Sequence, residues 1–116
     1  MRTRVIVVCA LTAVFLAVPL MSGSPHAGEG DDQGKTLFDS KCALCHGKNG
    51  NGQGPAAASL NPAPADFSSP AFWQRMNDQK IADTIRNGRG MMPPFDLSPE
   101  QIKAIIGYMS HTFKKE

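Results

Sequence analysis

Apolar residues recur at helical spacing near the C-terminus, and the pattern opens with a complete helix start signal. In Ser98-Pro99-Glu100-Gln101, serine suits the N-cap, proline the first helical position and glutamine the N3 position of a capping box. The apolar positions that follow are Ile102, Ile105, Ile106, Met109 and Phe113. Because these positions share one face, the pattern predicts a C-terminal helix that is buried along that face.

A shorter pattern predicts a first helix over residues 35–42. Asp31 or Asp32 can cap it, and Leu37 and Phe38 supply its apolar face. Two closely spaced cysteines fall at its end, so we expect this helix to orient both thiols.

A second helix is predicted over residues 77–87. Asn77 is a suitable N-cap, and Ile81 and Ile85 lie four positions apart on one face. Asn87-Gly88 is a stop signal, because glycine readily adopts the left-handed conformation that ends many helices.

The stretch from Gly47 to Pro70 has a different character, since glycine, proline, alanine and asparagine dominate it. Such a sequence cannot form a long helix or a central strand. It predicts a long loop that covers a buried group, with Leu60, Phe67 and Phe72 as candidate wall residues. The chain is therefore expected to be all-α, with three main helices and long loops.

The N-terminal pattern is that of a targeting segment. Arg2 and Arg4 precede an almost unbroken apolar run over residues 5–21, and small residues follow at 22–27. We interpret residues 1–27 as a signal peptide, with an uncleaved membrane anchor as the alternative. This division leaves residues 28–33 as a flexible lead-in and 34–116 as one domain.

Charge and length narrow the function classes. The 116 residues include 12 Lys and Arg and 10 Asp and Glu. Without the two arginines of the leader the charges balance, so no basic field for nucleic acid is present. About 90 remaining residues are marginal for a hydrophobic core alone. A buried cofactor would supply the missing apolar volume.

Cys42-Ala43-Leu44-Cys45-His46 identifies that cofactor, because C-x-x-C-H is the attachment signal for c-type haem. Two thiols three positions apart can each bond one vinyl group, and the histidine that follows can ligate the iron. A thiol redox pair would need βαβ patterning, and a zinc site would need two further ligands nearby. His26 and His111 are both distant in sequence, and Cys9 lies in the leader.

A second candidate iron ligand lies between the second and third helices. In Gly90-Met91-Met92-Pro93-Pro94, the prolines fix the backbone that follows two thioethers. A methionine is a soft neutral ligand that raises the reduction potential when it opposes histidine. We select Met92, since it directly precedes proline. The alternatives are two packing methionines, or His111 as the sixth ligand.

Residues 34–113 resemble the monohaem class I cytochromes c, especially small bacterial periplasmic members. The segments that carry the resemblance are GKTLFDSKCALCHG, GQGPAAASLNPAPADF, IADTIRNGRGMMPPF and LSPEQIKAIIGYM. It implies a cytochrome c-like fold around one covalently bound haem c. It also implies that Cys42 and Cys45 hold the haem, that His46 and Met92 ligate its iron, and that the Pro55 carbonyl accepts the imidazole N–H.

The same resemblance implies how the terminal helices meet. Gly34 and Phe38 match positions of the first helix that cross Ile105 and Tyr108 of the last. Trp73 matches a tryptophan that bonds a haem propionate in some relatives, with simple core packing as the alternative.

The function that the resemblance implies is electron transfer without enzymatic activity. The expected partners are redox proteins such as a membrane oxidase, reductase or dehydrogenase. We expect this protein to work in the periplasm, as a monomer or as a subunit of a complex. Contact with a membrane is expected only if the leader is retained. A haem-based sensor or small haem enzyme with a displaceable sixth ligand is one alternative, and a non-haem metal or thiol protein is another.

Overall fold

The computed structural model describes residues 27–116, so the predicted leader lies outside the described residues apart from its last position. Within them are five α-helices and a short 3-10 turn at Ala57–Ser59, and no strand. The helices are α1 Ala27–Lys41, α2 Ala43–His46, α3 Pro70–Arg75, α4 Asp78–Asn87 and α5 Pro99–Phe113. The all-α class is confirmed, and α1, α4 and α5 are the three main helices that the sequence predicts.

Helix α5 starts at the predicted capping box. The Gln101 backbone N–H donates to Ser98 Oγ at 3.2 Å, and the Ser98 N–H donates to Gln101 Oε1 at 2.9 Å. Two N–H groups that have no partner inside the helix are thereby satisfied. All five apolar positions of the predicted face are buried.

Helix α4 also follows its prediction. The Asn77 side chain accepts the Lys80 backbone N–H at 2.9 Å, and the helix ends at Gly88, whose φ is 72°. Ile81 and Ile85 are both buried. Asn77 therefore acts as the N-cap that the sequence indicates.

Helix α1 begins at Ala27, so the predicted start at Lys35 is wrong. Residues 28–33, expected as a flexible lead-in, form its first turns, and Asp31 lies inside the helix instead of capping it. Within these first turns Asp31 Oδ2 lies 2.9 Å from His111 Nδ1, so they also contact α5. Local capping preference does not include such contacts.

Helices α1 and α5 pack closely where α1 has a glycine. A Cβ at Gly34 would meet the Ala104 carbonyl oxygen and lie 2.8 Å from the Tyr108 Cβ. Phe38 is fully buried one turn later, with its ring centroid 5.5 Å from that of Tyr108. The predicted crossing is confirmed at Tyr108, whereas Ala104 replaces Ile105 as the nearest neighbour of Gly34.

The long loop contains more structure than the sequence predicts. Gly52, at φ 76°, donates its N–H to the His46 carbonyl at 2.8 Å and folds the loop back over α2. The loop ends in α3, a short helix with Ser69 at the N-cap position and Pro70 at its first turn. That pairing is a usable start signal, and six residues are too few for a periodic pattern to accompany it.

One apolar cluster joins these elements. Its buried members are Phe38, Ala43, Phe67, Phe72, Ile81, Ala82, Ile85, Ile102, Ile105, Ile106, Met109 and Phe113. No helix within residues 27–116 has both the length and the apolar character to cross a membrane.

Candidate haem-binding cavity

A cavity of about 780 Å³ opens beside this core. Its volume lies within the ~300–1,000 Å³ range of ligand pockets. Most of its wall is apolar, and the predicted wall residues Leu60, Phe67 and Phe72 all line it. The cavity also brings together four side chains that could bind a haem, namely those of Cys42, Cys45, His46 and Met92.

Helix α2 positions three of these four side chains. It is a single turn, in which the Cys45 and His46 N–H groups both donate to the Cys42 carbonyl, at 3.2 and 3.0 Å. The turn holds the two thiols and the imidazole against the same cavity. Both cysteines are free thiols and partly buried.

The His46 ring is oriented by the loop. Its Nδ1 lies 3.1 Å from the Ala65 carbonyl oxygen. Because a carbonyl can only accept, Nδ1 carries the proton and the Nε2 lone pair is free for a metal. Burial lowers the pKa of His46, against the opposing effect of the Ala65 hydrogen bond, and this favours the neutral imidazole that ligation requires.

In the structure the carbonyl that meets the imidazole belongs to Ala65, so the role predicted for Pro55 is not observed there and stays a prediction. Pro55 is exposed and is not among the residues that line the cavity. The hydrogen bonds on either side of it explain why. Gly54 N–H donates to the Cys45 carbonyl and Ala56 N–H to the Leu44 carbonyl, which holds this part of the loop against the backbone of α2.

Phe67 supports the imidazole from one side. The two rings are stacked, with centroids 4.4 Å apart and an interplanar angle of 22°. Trp73 Nε1 donates to the Phe67 carbonyl at 2.8 Å, so the indole N–H already has a partner. The suggested bond from Trp73 to a haem propionate stays a prediction, and Trp73 packs partly buried against the core.

The two neighbouring methionines have different environments. Met92 is half-buried, packs against the core and lines the cavity. Met91 is 55% exposed, and its Sδ accepts the Asn61 backbone N–H at 3.4 Å. His111, the alternative sixth ligand, has a side chain that is 78% exposed and does not line the cavity.

Cys42 does not have the properties of a reactive thiolate. Burial raises the pKa of Cys42 to about 11, and the smaller effects of Lys41 and Cys45 oppose each other. Redox-active and zinc-binding cysteines need the opposite shift. Within residues 27–116, no three His, Cys, Asp or Glu side chains lie close enough together to hold a metal ion.

The charge around the cavity is uneven, a feature that sequence totals concealed. The cationic residues that line the cavity are Lys41, Arg75, Lys80 and Arg89, and its lining contains no Asp or Glu. They come from α1, α3, α4 and the turn after α4, and the fold gathers them around the cavity. No periodic or motif signal in the chain could have indicated this.

Comparison with known proteins shows the family. Residues 29–109 match the family described as cytochrome c oxidase, cbb3-type, subunit III. Cytochrome c6 of Chlorolobion braunii is 33% identical over 78 residues, which cover 66% of this chain and 83% of the relative. The cbb3-type cytochrome c oxidase subunit CcoP of Azospirillum sp. (strain B510) is 35% identical over 81 residues, and the chain spans only 27% of its length.

Solved structures agree with the sequence comparison. The KustC0563 c-type cytochrome superposes with a TM-score of 0.61 at 28% identity, over 70% of this chain and 98% of that one. The Kuenenia stuttgartiensis reducing HAO-like protein complex Kustc0457/Kustc0458 contains a chain that matches with a TM-score of 0.58 and 26% identity. The match covers 70% of this chain and 41% of that one.

The cavity fits the cofactor of these relatives. It offers two free thiols on one helical turn, an imidazole whose Nε2 is free, and an apolar wall. These are the groups that covalent attachment and iron ligation require. The chain belongs to the c-type cytochromes of this family, with a covalently bound haem c, and its function is electron transfer.

Proposed function

We propose that this protein is a single-electron carrier whose haem iron is ligated by His46 and Met92. The observation that carries the proposal is that one cavity is lined by a C-x-x-C-H turn and by a methionine from a separate segment. When bound, the haem supplies an iron that takes up and releases one electron. His/Met ligation favours the reduced state and raises the potential.

Cys42 and Cys45 attach the cofactor in this proposal. Each thiol adds across one vinyl group, so that a C–S bond and a C–H bond form while the S–H bond and one C=C π bond are lost. Nothing leaves and no external oxidant is needed. The position of both thiols on one short turn supports attachment along a single edge of the porphyrin.

His46 and Met92 also account for the absence of enzymatic activity in the proposal. The Ala65 carbonyl holds the Nδ1 proton, which leaves Nε2 as the ligand atom. With Met92 at the sixth position, no site is open for a substrate. A sensor or small haem enzyme would need that position to open.

Matched methionine variants test the ligand assignment. Met92→Leu removes the thioether at nearly constant volume, and Met76→Leu is the control because Met76 lines the same cavity. We expect the exported native protein and the Met76 variant to show a low-spin spectrum with a sulfur-to-iron band and to ignore carbon monoxide. The Met92 variant should lose that band and bind carbon monoxide.

The opposite result would favour the alternative function. A native protein that is high-spin, or that binds carbon monoxide readily when reduced, has an accessible sixth position. The sensor or haem-enzyme interpretation would then replace electron transfer with Met92 as ligand.

The partner in our proposal is a redox protein that presents carboxylates, such as a membrane oxidase, reductase or dehydrogenase. The four cations around the cavity and the lack of acidic residues in its lining support this choice. The chain is similar to 83% of the length of a cytochrome c6 and to 27% of the length of a cbb3 oxidase subunit. Both a free carrier and a subunit of a complex agree with these similarities.

Small redox reagents of opposite charge test this charged surface. We expect ferricyanide to oxidise the native protein more slowly as salt is added, since screening weakens its attraction to the cations. Lys41→Gln with Arg89→Gln should reduce this salt dependence. A cationic cobalt chelate should show the opposite dependence and react faster with the native protein as salt is added. Lys103→Gln with Lys115→Gln is the control, because neither residue lines the cavity.

An unchanged salt dependence in the Lys41 and Arg89 variant would contradict the proposed docking surface. If the reduction potential changed instead, these cations would act on the haem propionates and not on a partner.

Residues 1–27 act as an export leader in this proposal, and the haem domain works in the periplasm. The basic start and apolar run of the leader support it. The intact mass of the exported protein tests it. A mass that includes the leader would indicate an anchored cytochrome.

A further inference from the structure

Two segments that border the cavity are joined by an unusual hydrogen bond. The imidazole loop, residues 60–66, contains the Ala65 carbonyl that meets His46. The methionine turn, residues 89–92, contains the proposed ligand Met92. The Asn61 backbone N–H donates to Met91 Sδ at 3.4 Å, and within residues 27–116 this is the hydrogen bond that links the two segments.

The methionine turn has a defined geometry. Arg89 and Met92 exchange both backbone hydrogen bonds at 3.0 Å, with Gly90 and Met91 between them. Gly90 has a φ of 57°, which fits the first central position of a type II′ turn. Proline follows directly at Pro93, so the Met92 backbone is restricted on both sides.

The side chain of Met91 combines high exposure with a hydrogen bond to its sulfur. It lies at the exposed boundary of the cavity, where 55% of the residue is accessible, and yet its sulfur is engaged by a backbone donor. A thioether that only filled space would not need such a donor. Both methionines line the cavity, and the bond engages the sulfur of Met91 while that of Met92 has no such donor among the described residues.

The turn has a second anchor on its own side of the cavity. Phe95 N–H donates to the Ile85 carbonyl of α4 at 2.9 Å. The Met91 bond is thus the tie to the opposite segment, which also orients the imidazole. The imidazole loop thereby connects with the proposed ligand His46 through Ala65, and with the turn that contains the proposed ligand Met92 through Asn61 and Met91.

We propose that Met91 is a positioning residue, whose hydrogen bond to Asn61 holds the methionine turn so that Met92 stays on the iron. The inference rests on the proposed ligation by Met92. Loss of the bond leaves the turn tied to α4 alone. The Met92 sulfur then leaves the iron more often, although no contact of Met92 itself has been removed.

The test is the rate at which imidazole replaces the native sixth ligand of the oxidised, haem-loaded protein. At saturating imidazole, this rate is set by the departure of Met92. Met91→Leu keeps the size of the side chain and removes the acceptor, so we expect the exchange to be about two- to tenfold faster, from the typical net worth of a hydrogen bond. Met91→Gln has an oxygen that can accept from Asn61, and it should restore slow exchange.

Lys103→Gln with Lys115→Gln is the control, because neither residue lines the cavity or belongs to the haem-attachment turn. This variant should exchange at the native rate. The sulfur-to-iron band is recorded for every variant, so that the identity of the sixth ligand is measured separately from the rate at which it leaves the iron.

The outcomes separate this inference from the function on which it rests. If Met91→Leu keeps the band and exchanges at the native rate, the positioning role is overturned while Met92 remains the ligand. If Met91→Gln is as fast as Met91→Leu, the hydrogen bond is not the cause and the inference also fails. If Met91→Leu loses the band and Met92→Leu keeps it, Met91 is the ligand, and the assignment of Met92 fails together with the inference.

Discussion

At the residue scale, the imidazole is held by a chain of contacts that continues beyond its own hydrogen bond. The Ala65 carbonyl fixes the Nδ1 proton, Phe67 stacks on the ring, and Trp73 holds the Phe67 carbonyl. Such supporting contacts tune a metal ligand without touching the metal. They also make one side chain, Trp73, a test of the arrangement.

We expect Trp73→Phe to lower the free energy of unfolding by about 1–2 kcal/mol, because the Phe67 carbonyl loses its donor. The change keeps an aromatic ring, so most of the packing is retained. Denaturant titration followed by the haem spectrum measures it. If stability were unchanged and the pH dependence of the reduction potential shifted, Trp73 would act on a propionate after all.

At the element scale, the crossing of α1 and α5 depends on the missing side chain of Gly34. We expect Gly34→Ala to destabilise the fold by about 1–3 kcal/mol, the usual cost of overpacking, because its Cβ would meet the Ala104 carbonyl. Gly30 and Gly107 lie in the same two helices, and a Cβ at either position would have open space within 4 Å. Alanine there should stabilise by up to about 1 kcal/mol.

Thermal unfolding of the three variants compares them directly. Equal stability of Gly34→Ala and Gly107→Ala would mean that the helices can separate at the crossing without cost. A gain at Gly107 with a loss at Gly34 is the result that close packing requires.

The same elements show what the sequence could predict. Start signals located α4 and α5 correctly, since Asn77 and Ser98 act through neighbours within the next few residues. The early start of α1 brings Asp31 into contact with His111, eighty positions away. No local pattern includes such a partner.

In the candidate site, too, the sequence predicts some residues from local motifs and cannot predict others. The C-x-x-C-H turn and Met92 were identified because their chemistry follows from short motifs. The imidazole acceptor was assigned to Pro55 by resemblance, and the loop brings Ala65 to that place instead. Which carbonyl a loop presents depends on its path through space, and the run from Gly47 to Pro70 has no periodicity from which to derive that path.

At the scale of the whole molecule, the protein consists of a helix pair and a set of segments around a cavity. Helices α1 and α5 pack directly on each other, and α4 packs on α5. The α3 residues Phe72 and Arg75, the imidazole loop and the methionine turn line a cavity of about 780 Å³, and one face of each of α1, α4 and α5 borders it as well. A chain of this size has little other core, so the haem is a structural partner for those segments.

Removal of the haem should therefore destabilise the segments around the cavity more than the α1–α5 pair. In a Cys42→Ala/Cys45→Ala double variant purified without haem, we expect backbone amides of α1 and α5 to keep measurable protection from hydrogen exchange. Amides of α3, the imidazole loop and the methionine turn should lose theirs, because their buried face borders the empty space. The Cys45→Ala variant, still attached through Cys42, controls for the loss of a thiol.

Equal protection from hydrogen exchange in both groups of segments, whether full or absent, would contradict this expectation. Full protection throughout would mean that the cavity is held open by the protein alone, and no protection anywhere would mean that the α1–α5 contact cannot persist without the haem. Partial protection is expected because the crossing at Gly34 and the rings of Phe38, Tyr108 and Phe113 form contacts that do not involve the cofactor. Short helices rarely persist in water without such packing. The direct contact between α1 and α5 is thus what should survive when the haem is absent.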